Sequence, residues 1–64
     1  MKRQKLITLR KKKKFTQAYM AEHVDVARST YNGYENGLFS PSIETAMKIK
    51  KVLETSSDDI FELL

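Results

Sequence analysis

The sequence predicts a small all-α domain, a compact bundle of five short helices. Three features of its 64 residues lead there. Apolar residues recur at three- and four-residue intervals, the period of helices with one buried face. Hydroxyl residues stand where helices need N-caps, at Thr16, Ser42 and Ser56. Breakers are few: Gly33, Gly37 and Pro41.

The first helix is expected over about 2–13. Leu6, Leu9 and Arg10 share one face, with Ile7 at its flank. Its last turn is lysine, which suits the negative end of the helix dipole. The second is expected over about 17–24, capped by Thr16. Phe15 before the cap can staple onto Met20, and Met20, Ala21 and Val24 line the inner face. Tyr19 stands where a glutamate or glutamine would complete a capping box. Asp25 is suited to a left-handed turn residue, and Val26 is an apolar plug. The third helix is expected over about 28–36, with Tyr31, Tyr34 and Glu35 inward and Gly37 ending it. Leu38 to Pro41 form a loop. Ser42 caps a fourth helix over about 43–53, whose apolar side is Ile43, Ala46, Met47, Ile49, Val52 and Leu53. Ser56 caps a fifth over about 57–63, with Asp59 three residues on and Ile60, Phe61 and Leu64 facing inward.

This length holds one domain, expected to span 1–64. Hydrophobic residues are 41% and charged residues 31%, a balance that fits a soluble globular domain and not a disordered chain. No apolar run approaches the roughly 20 residues of a membrane-spanning helix. Met1-Lys2-Arg3-Gln4 leads into no apolar leader core, so a cytoplasmic protein without membrane association is expected. Cysteine is absent, which excludes disulfides and thiolate metal sites. The core must hold by helix packing, with help from a partner subunit. The net charge of +4 attracts phosphate, but it attracts anionic membranes and acidic proteins too.

Order along the chain separates these partners. The second helix, the turn at Asp25 and the third helix form the pattern that lays a second helix in the DNA major groove. Small Ala21 falls where two helices approach closely. The residues Leu9-Arg10, Thr16-Gln17, Ala21, Ser29-Thr30, Tyr34-Glu35-Asn36-Gly37, Pro41-Ser42 and Asp58-Asp59-Ile60-Phe61 occur in a specific order and spacing. In these the chain resembles the Cro/CI-type helix-turn-helix family, also called lambda-repressor-like or XRE, from about Leu6 to Phe61.

The resemblance implies a five-helix domain whose third helix reads base edges. It also implies that Arg10 pairs with Glu35, which agrees with two charges on otherwise apolar faces. Base readout is expected from Arg28, Ser29 and Asn32, near the start of the third helix. Arg28 has the two-donor geometry for guanine, with a phosphate contact as its alternative. Asn32 can pair with adenine, or be a plain surface amide. Gln17, Thr16, Thr30, Asn36 and Lys11 are expected at the DNA backbone, Gln17 also bracing the third helix. The lysines at 11–14 steer by charge or form a solvated helix end. Relatives dimerise through their last helices, and Leu38, Phe39, Phe61, Leu63 and Leu64 are the apolar candidates here.

Departures from the family pattern are definite. Asp25 replaces the usual turn glycine, and Glu54 stands where a helix-ending glycine is common. Ala27 replaces a capping hydroxyl, which costs about 1 kcal/mol. Gly33 lies inside the third helix at a further cost of about 1 kcal/mol relative to alanine. It also removes a side chain that contacts bases in relatives, so readout relies on fewer groups, on DNA shape, or on close backbone approach at Gly33.

The expected function is sequence-specific binding of double-stranded DNA to regulate transcription, as a repressor homodimer on a palindromic operator. A protein-interaction module is the alternative, motivated by Gly33 and the missing caps. No catalytic set can be assembled from one histidine, no cysteine and no glycine-rich phosphate loop. His23 has no neighbouring ligand residue, so no metal, cofactor or small-molecule ligand is expected. Tyr31 and Tyr34 read as core, and Tyr19 as surface.

Overall fold

The computed structural model describes residues 1–63. It contains four α-helices and one 3-10 turn: α1 (Gln4–Lys12), α2 (Gln17–His23), α3 (Arg28–Glu35), α4 (Ile43–Val52) and the turn Asp59–Phe61. Leu64 lies outside the described residues.

The core is Leu6, Met20, Ala21, Val24, Tyr31, Tyr34, Ile49, Leu53 and Ile60, with Leu9, Phe15, Val26, Val52 and Phe61 packed against it. Within α1 to α3 these are positions that the helical period places inward. α2 packs on α3 and α4, while α1 packs on α3 and the 3-10 turn. Thr16 and Ser42 cap α2 and α4, accepting from Tyr19 N and Thr45 N at 3.0 and 3.1 Å. Ala27 precedes α3 with no side-chain cap.

Three expectations need correction. α1 starts at Gln4, not near Lys2, because Arg3 N is already bonded to Glu35 O at 2.8 Å and draws the chain away from helix. The fifth helix shrinks to three residues. Ser57 Oγ donates to Asp59 Oδ1 at 2.6 Å, Ser57 N donates to Thr55 Oγ1, and the chain is extended again at Glu62. Such local side-chain bonds compete with helix, and the residue before the turn is Asp58, with no side-chain cap, where Ser56 was expected to cap. Finally, Ile43 and Met47 are not core: they are 83% and 61% exposed. At 100° per residue they lie roughly 100° and 140° round α4 from the Ile49–Leu53 line.

All four helices end the same way. The residue after each C-cap has positive φ: Lys14 (64°), Asp25 (62°), Gly37 (73°) and Glu54 (55°). The next N–H then reaches back five residues, as Phe15 to Arg10, Val26 to Ala21, Leu38 to Gly33 and Thr55 to Lys50. These are Schellman motifs, and they satisfy carbonyls that the helix leaves open. Glycine occupies one of the four left-handed positions. There the freedom is needed twice over, since a Cβ on Gly37 would also collide with the Met1 carbonyl.

Candidate nucleic-acid interface

α2 and α3 are joined by the turn at residues 24–27, with Asp25 left-handed and Val26 tucked against the core. α3 buries Tyr31, Tyr34 and Glu35. At 100° per residue the opposite face carries Ser29, Gly33 and Asn36, with Asn32 at its edge, and Arg28 is exposed at the first turn on the Glu35 side. Arg28 and Ser29 are exposed and make no side-chain bond among the described residues.

This outward face rests on a buried charge pair. Arg10 Nε donates to Glu35 Oε2 at 2.6 Å, and Arg10 Nη2 to Oε1 at 3.1 Å. Glu35 is buried, and burial pushes its carboxyl up. The bonds from Arg10, and then from Gln17, outweigh burial and leave it below the usual carboxylate range. Arg10 Nη1 also donates to Phe15 O at 2.8 Å, tying the end of α1 to the start of α2. The Tyr31 hydroxyl is buried and finds no hydrogen-bond partner among the described residues. Burial and the Glu35 carboxylate push its titration above the ordinary tyrosine value.

From Glu35 a chain of amides runs outward. Gln17 Nε2 donates to Glu35 Oε1 at 2.9 Å, Asn32 Nδ2 to Gln17 Oε1 at 3.0 Å, and Asn36 Nδ2 to Asn32 Oδ1 at 2.9 Å. The structure thus brings together five expected site residues: Arg10, Glu35, Gln17, Asn32 and Asn36. It changes the part of Asn32. One of its N–H groups and one lone pair of its oxygen are engaged, so the amide braces α3 against α2, and one N–H and one lone pair stay open.

The other expected residues lie as follows. The Thr16 hydroxyl is exposed and spent on its cap. Thr30 is half-buried on the flank of α3, and Lys11 is exposed on the last turn of α1. In the lysine run, Lys13 pairs with Glu54 at 3.0 Å, while Lys12 and Lys14 are exposed. Leu38 and Leu63 are exposed, and Phe61 is half-buried against the core. The Phe39 ring lies on Gly33, on the outward face of α3.

Nothing in the sequence marks Arg3, yet it is buried and holds three segments together. Nη1 donates to Tyr34 O at 2.7 Å and Phe39 O at 2.8 Å, Nε to Phe61 O at 3.0 Å, and Nη2 to Ser40 Oγ at 3.2 Å. The guanidinium therefore sits at the negative end of α3 and anchors the loop that follows it. Its partners are three carbonyls and a hydroxyl, so no charge pattern betrays it.

A helix-turn-helix family model matches residues 6–60. The chain is 38% identical over 56 residues to the HTH-type transcriptional regulator AnsR of Bacillus subtilis, covering 88% of this chain and 48% of the relative. It is 34% identical over 58 residues to the cryptic phage CTXphi transcriptional repressor RstR of Vibrio cholerae, covering 91% and 52%. An uncharacterized HTH-type transcriptional regulator of Archaeoglobus fulgidus is 36% identical over 59 residues, covering 92% and 83%. The chain spans about half the length of the first two. With the match running from α1 through the 3-10 turn, the chain belongs to the XRE-type helix-turn-helix family.

Proposed function

We propose that this chain is a single helix-turn-helix domain that binds double-stranded DNA sequence-specifically and regulates transcription from the cytoplasm, as a repressor. One observation carries the reading: α3 exposes Arg28 and Ser29 at its first turn, unpartnered among the described residues, on a helix fixed to the body by the Arg10–Glu35–Gln17–Asn32 chain. A recognition helix needs both, reach and a rigid mount. Arg28 and Ser29 read bases in this proposal. Gln17, Thr16, Thr30, Asn36 and Lys11 serve the phosphates, and Asn32 braces the helix. The relatives' names, HTH-type regulator and phage repressor, support the regulatory part.

A single module buries a small interface with DNA, so useful affinity calls for two copies on two half-sites about 34 Å apart. The exposed Leu38 and Leu63, with Phe61 and Leu64, are the proposed contacts of that homodimer. Selection of bound fragments from random DNA, followed by fluorescence anisotropy at several salt concentrations, tests the function. A palindromic preferred fragment bound as two chains to one duplex is the expected result. Weak binding of every fragment alike, lost at moderate salt, overturns sequence-specific regulation.

A further inference from the structure

Gly33 occupies the middle of the outward face of α3, one turn beyond Ser29, yet it is buried. Its cover is Phe39. A Cβ at Gly33 would collide with Cδ2 and Cε2 of that ring. The loop is pinned there from both sides. Leu38 N and Phe39 N donate to Gly33 O at 2.9 and 3.4 Å, and Phe39 O accepts from Arg3 at 2.8 Å. The ring is nevertheless 52% exposed. One part lies on the helix at Gly33, and the rest stands in solvent. A glycine inside a helix costs about 1 kcal/mol relative to alanine, and here the empty position holds an aromatic ring borrowed from the next loop.

We propose that Phe39 is a base-contacting residue that takes the place of the missing side chain at position 33, and that its target is the 5-methyl group of a thymine. The proposal rests on the DNA-binding reading above. The ring has no polar atom, and on base edges in the major groove the thymine methyl is the apolar group; the other features are donors and acceptors. Gly33, which the ring covers, is one helical turn beyond Ser29 on α3, so Ser29 and Phe39 address neighbouring positions of one half-site in this proposal.

The test replaces each thymine of the preferred fragment with deoxyuridine, which removes the methyl and keeps the hydrogen-bonding pattern. At one thymine per half-site the natural protein should bind about fourfold more weakly, the effect of one buried methyl group. Phe39→Ala should be indifferent to that replacement. Phe39→Leu keeps an apolar tip and should retain part of the sensitivity. Gly33→Ala, whose added methyl expels the ring, should behave as Phe39→Ala does. Thermal unfolding identifies the variants that fold, and the leucine variant carries the test if alanine does not. The proposal is overturned if deoxyuridine weakens natural protein and Phe39→Ala equally, or if no thymine is methyl-sensitive. It is overturned too if Phe39→Ala changes self-association of the free protein and leaves methyl sensitivity intact. Absence of any preferred fragment, seen before a variant is made, overturns the DNA reading itself.

Discussion

Asn32 donates through Nδ2 to Gln17 Oε1 at 3.0 Å, so the amide best suited by position to read adenine is tied to the neighbouring helix by one of its two N–H groups. Its oxygen accepts from Asn36 at 2.9 Å. A bidentate adenine contact would need that oxygen to accept a second bond with the N–H on the same edge free, and we expect the bracing bonds to persist on DNA. Asn32→Ala is therefore expected to weaken binding by a similar factor on every fragment and to leave the preferred sequence unchanged. Repeating the fragment selection with the variant checks this. Altered preference at a single base pair would make Asn32 a reader.

Glu35 gives a pH-dependent stability with a definite sign. Its folded carboxyl is held low, whereas the unfolded chain takes up the proton near the ordinary value of about 4.3. The unfolded state then binds more protons, so stability rises with pH through that range. The contribution is complete above about 4.3 and is lost as pH falls through the depressed folded value. Asp59 is also held low, by Ser57 and, more weakly, Lys5, so natural protein must be compared with Glu35→Gln. The variant should show a shallower acid limb in urea unfolding free energy. At neutral pH, Glu35→Ala should cost about 3–5 kcal/mol, because Arg10 is left buried without its partner.

Arg3 is expected to matter as much as a core residue. Arg3→Ala strips the donor from the carbonyls of Tyr34, Phe39 and Phe61. Each buried acceptor left open costs about 1–3 kcal/mol, and solvent reaching the half-exposed loop recovers part. A net loss of about 2–3 kcal/mol in urea titration is expected. Arg3→Lys should restore less than half, because one ammonium cannot span acceptors on three segments as a planar fork does. Full rescue by lysine would mean that charge at the end of α3, not the fork, is what counts.

The fold was legible where period and caps agree. Leu6, Met20, Ala21, Val24, Tyr31 and Tyr34 follow the helical repeat, and Thr16 and Ser42 open helices as their hydroxyls indicate. Ile43 and Met47 fit the same repeat only loosely, and a pattern of apolar letters does not fix which side of α4 meets the body. The Arg10–Glu35 pair was implied by the family resemblance, and two charges on apolar faces agreed with it. Arg3 was not, since its acceptors are backbone groups, which every sequence has. Phe39 over Gly33 was also hidden: a glycine in a helix reveals a vacancy but not what fills it. Asn32 reads as outward from its place on the helix, and only the positions of Gln17 and Asn36 reveal its engagement.

Lys14 and Glu54 hold left-handed conformations with side chains that gain little by it. Such a residue costs about 1–2 kcal/mol, and glycine returns part of that through its larger unfolded-state freedom. Lys14→Gly and Glu54→Gly should each stabilise by about 0.5–1 kcal/mol in thermal unfolding. The Lys13–Glu54 pair is exposed and weak, so its loss in Glu54→Gly should subtract little. Asp25→Gly should gain less, because aspartate tolerates this conformation better.

Arg28 opens α3, exposed and without a partner among the described residues, so its side chain is free to follow the DNA. Two uses of that freedom predict different numbers. As a guanine reader, Arg28→Ala should cost about 1–3 kcal/mol on the preferred fragment and relax one base pair, with other fragments bound nearly as before. As a phosphate anchor, it should weaken all fragments together and reduce the slope of log affinity against log salt by about one. Lys11→Ala supplies the reference for the second pattern, since lysine on the end of α1 reaches backbone charge and no base edge. The first pattern is the expected one. α3 begins at Arg28 with no capping side chain, which leaves the opening turn of the helix clear for approach to the bases. Binding selections and salt titrations of the two variants side by side decide it, because only a base contact separates one sequence from another while leaving the salt slope in place.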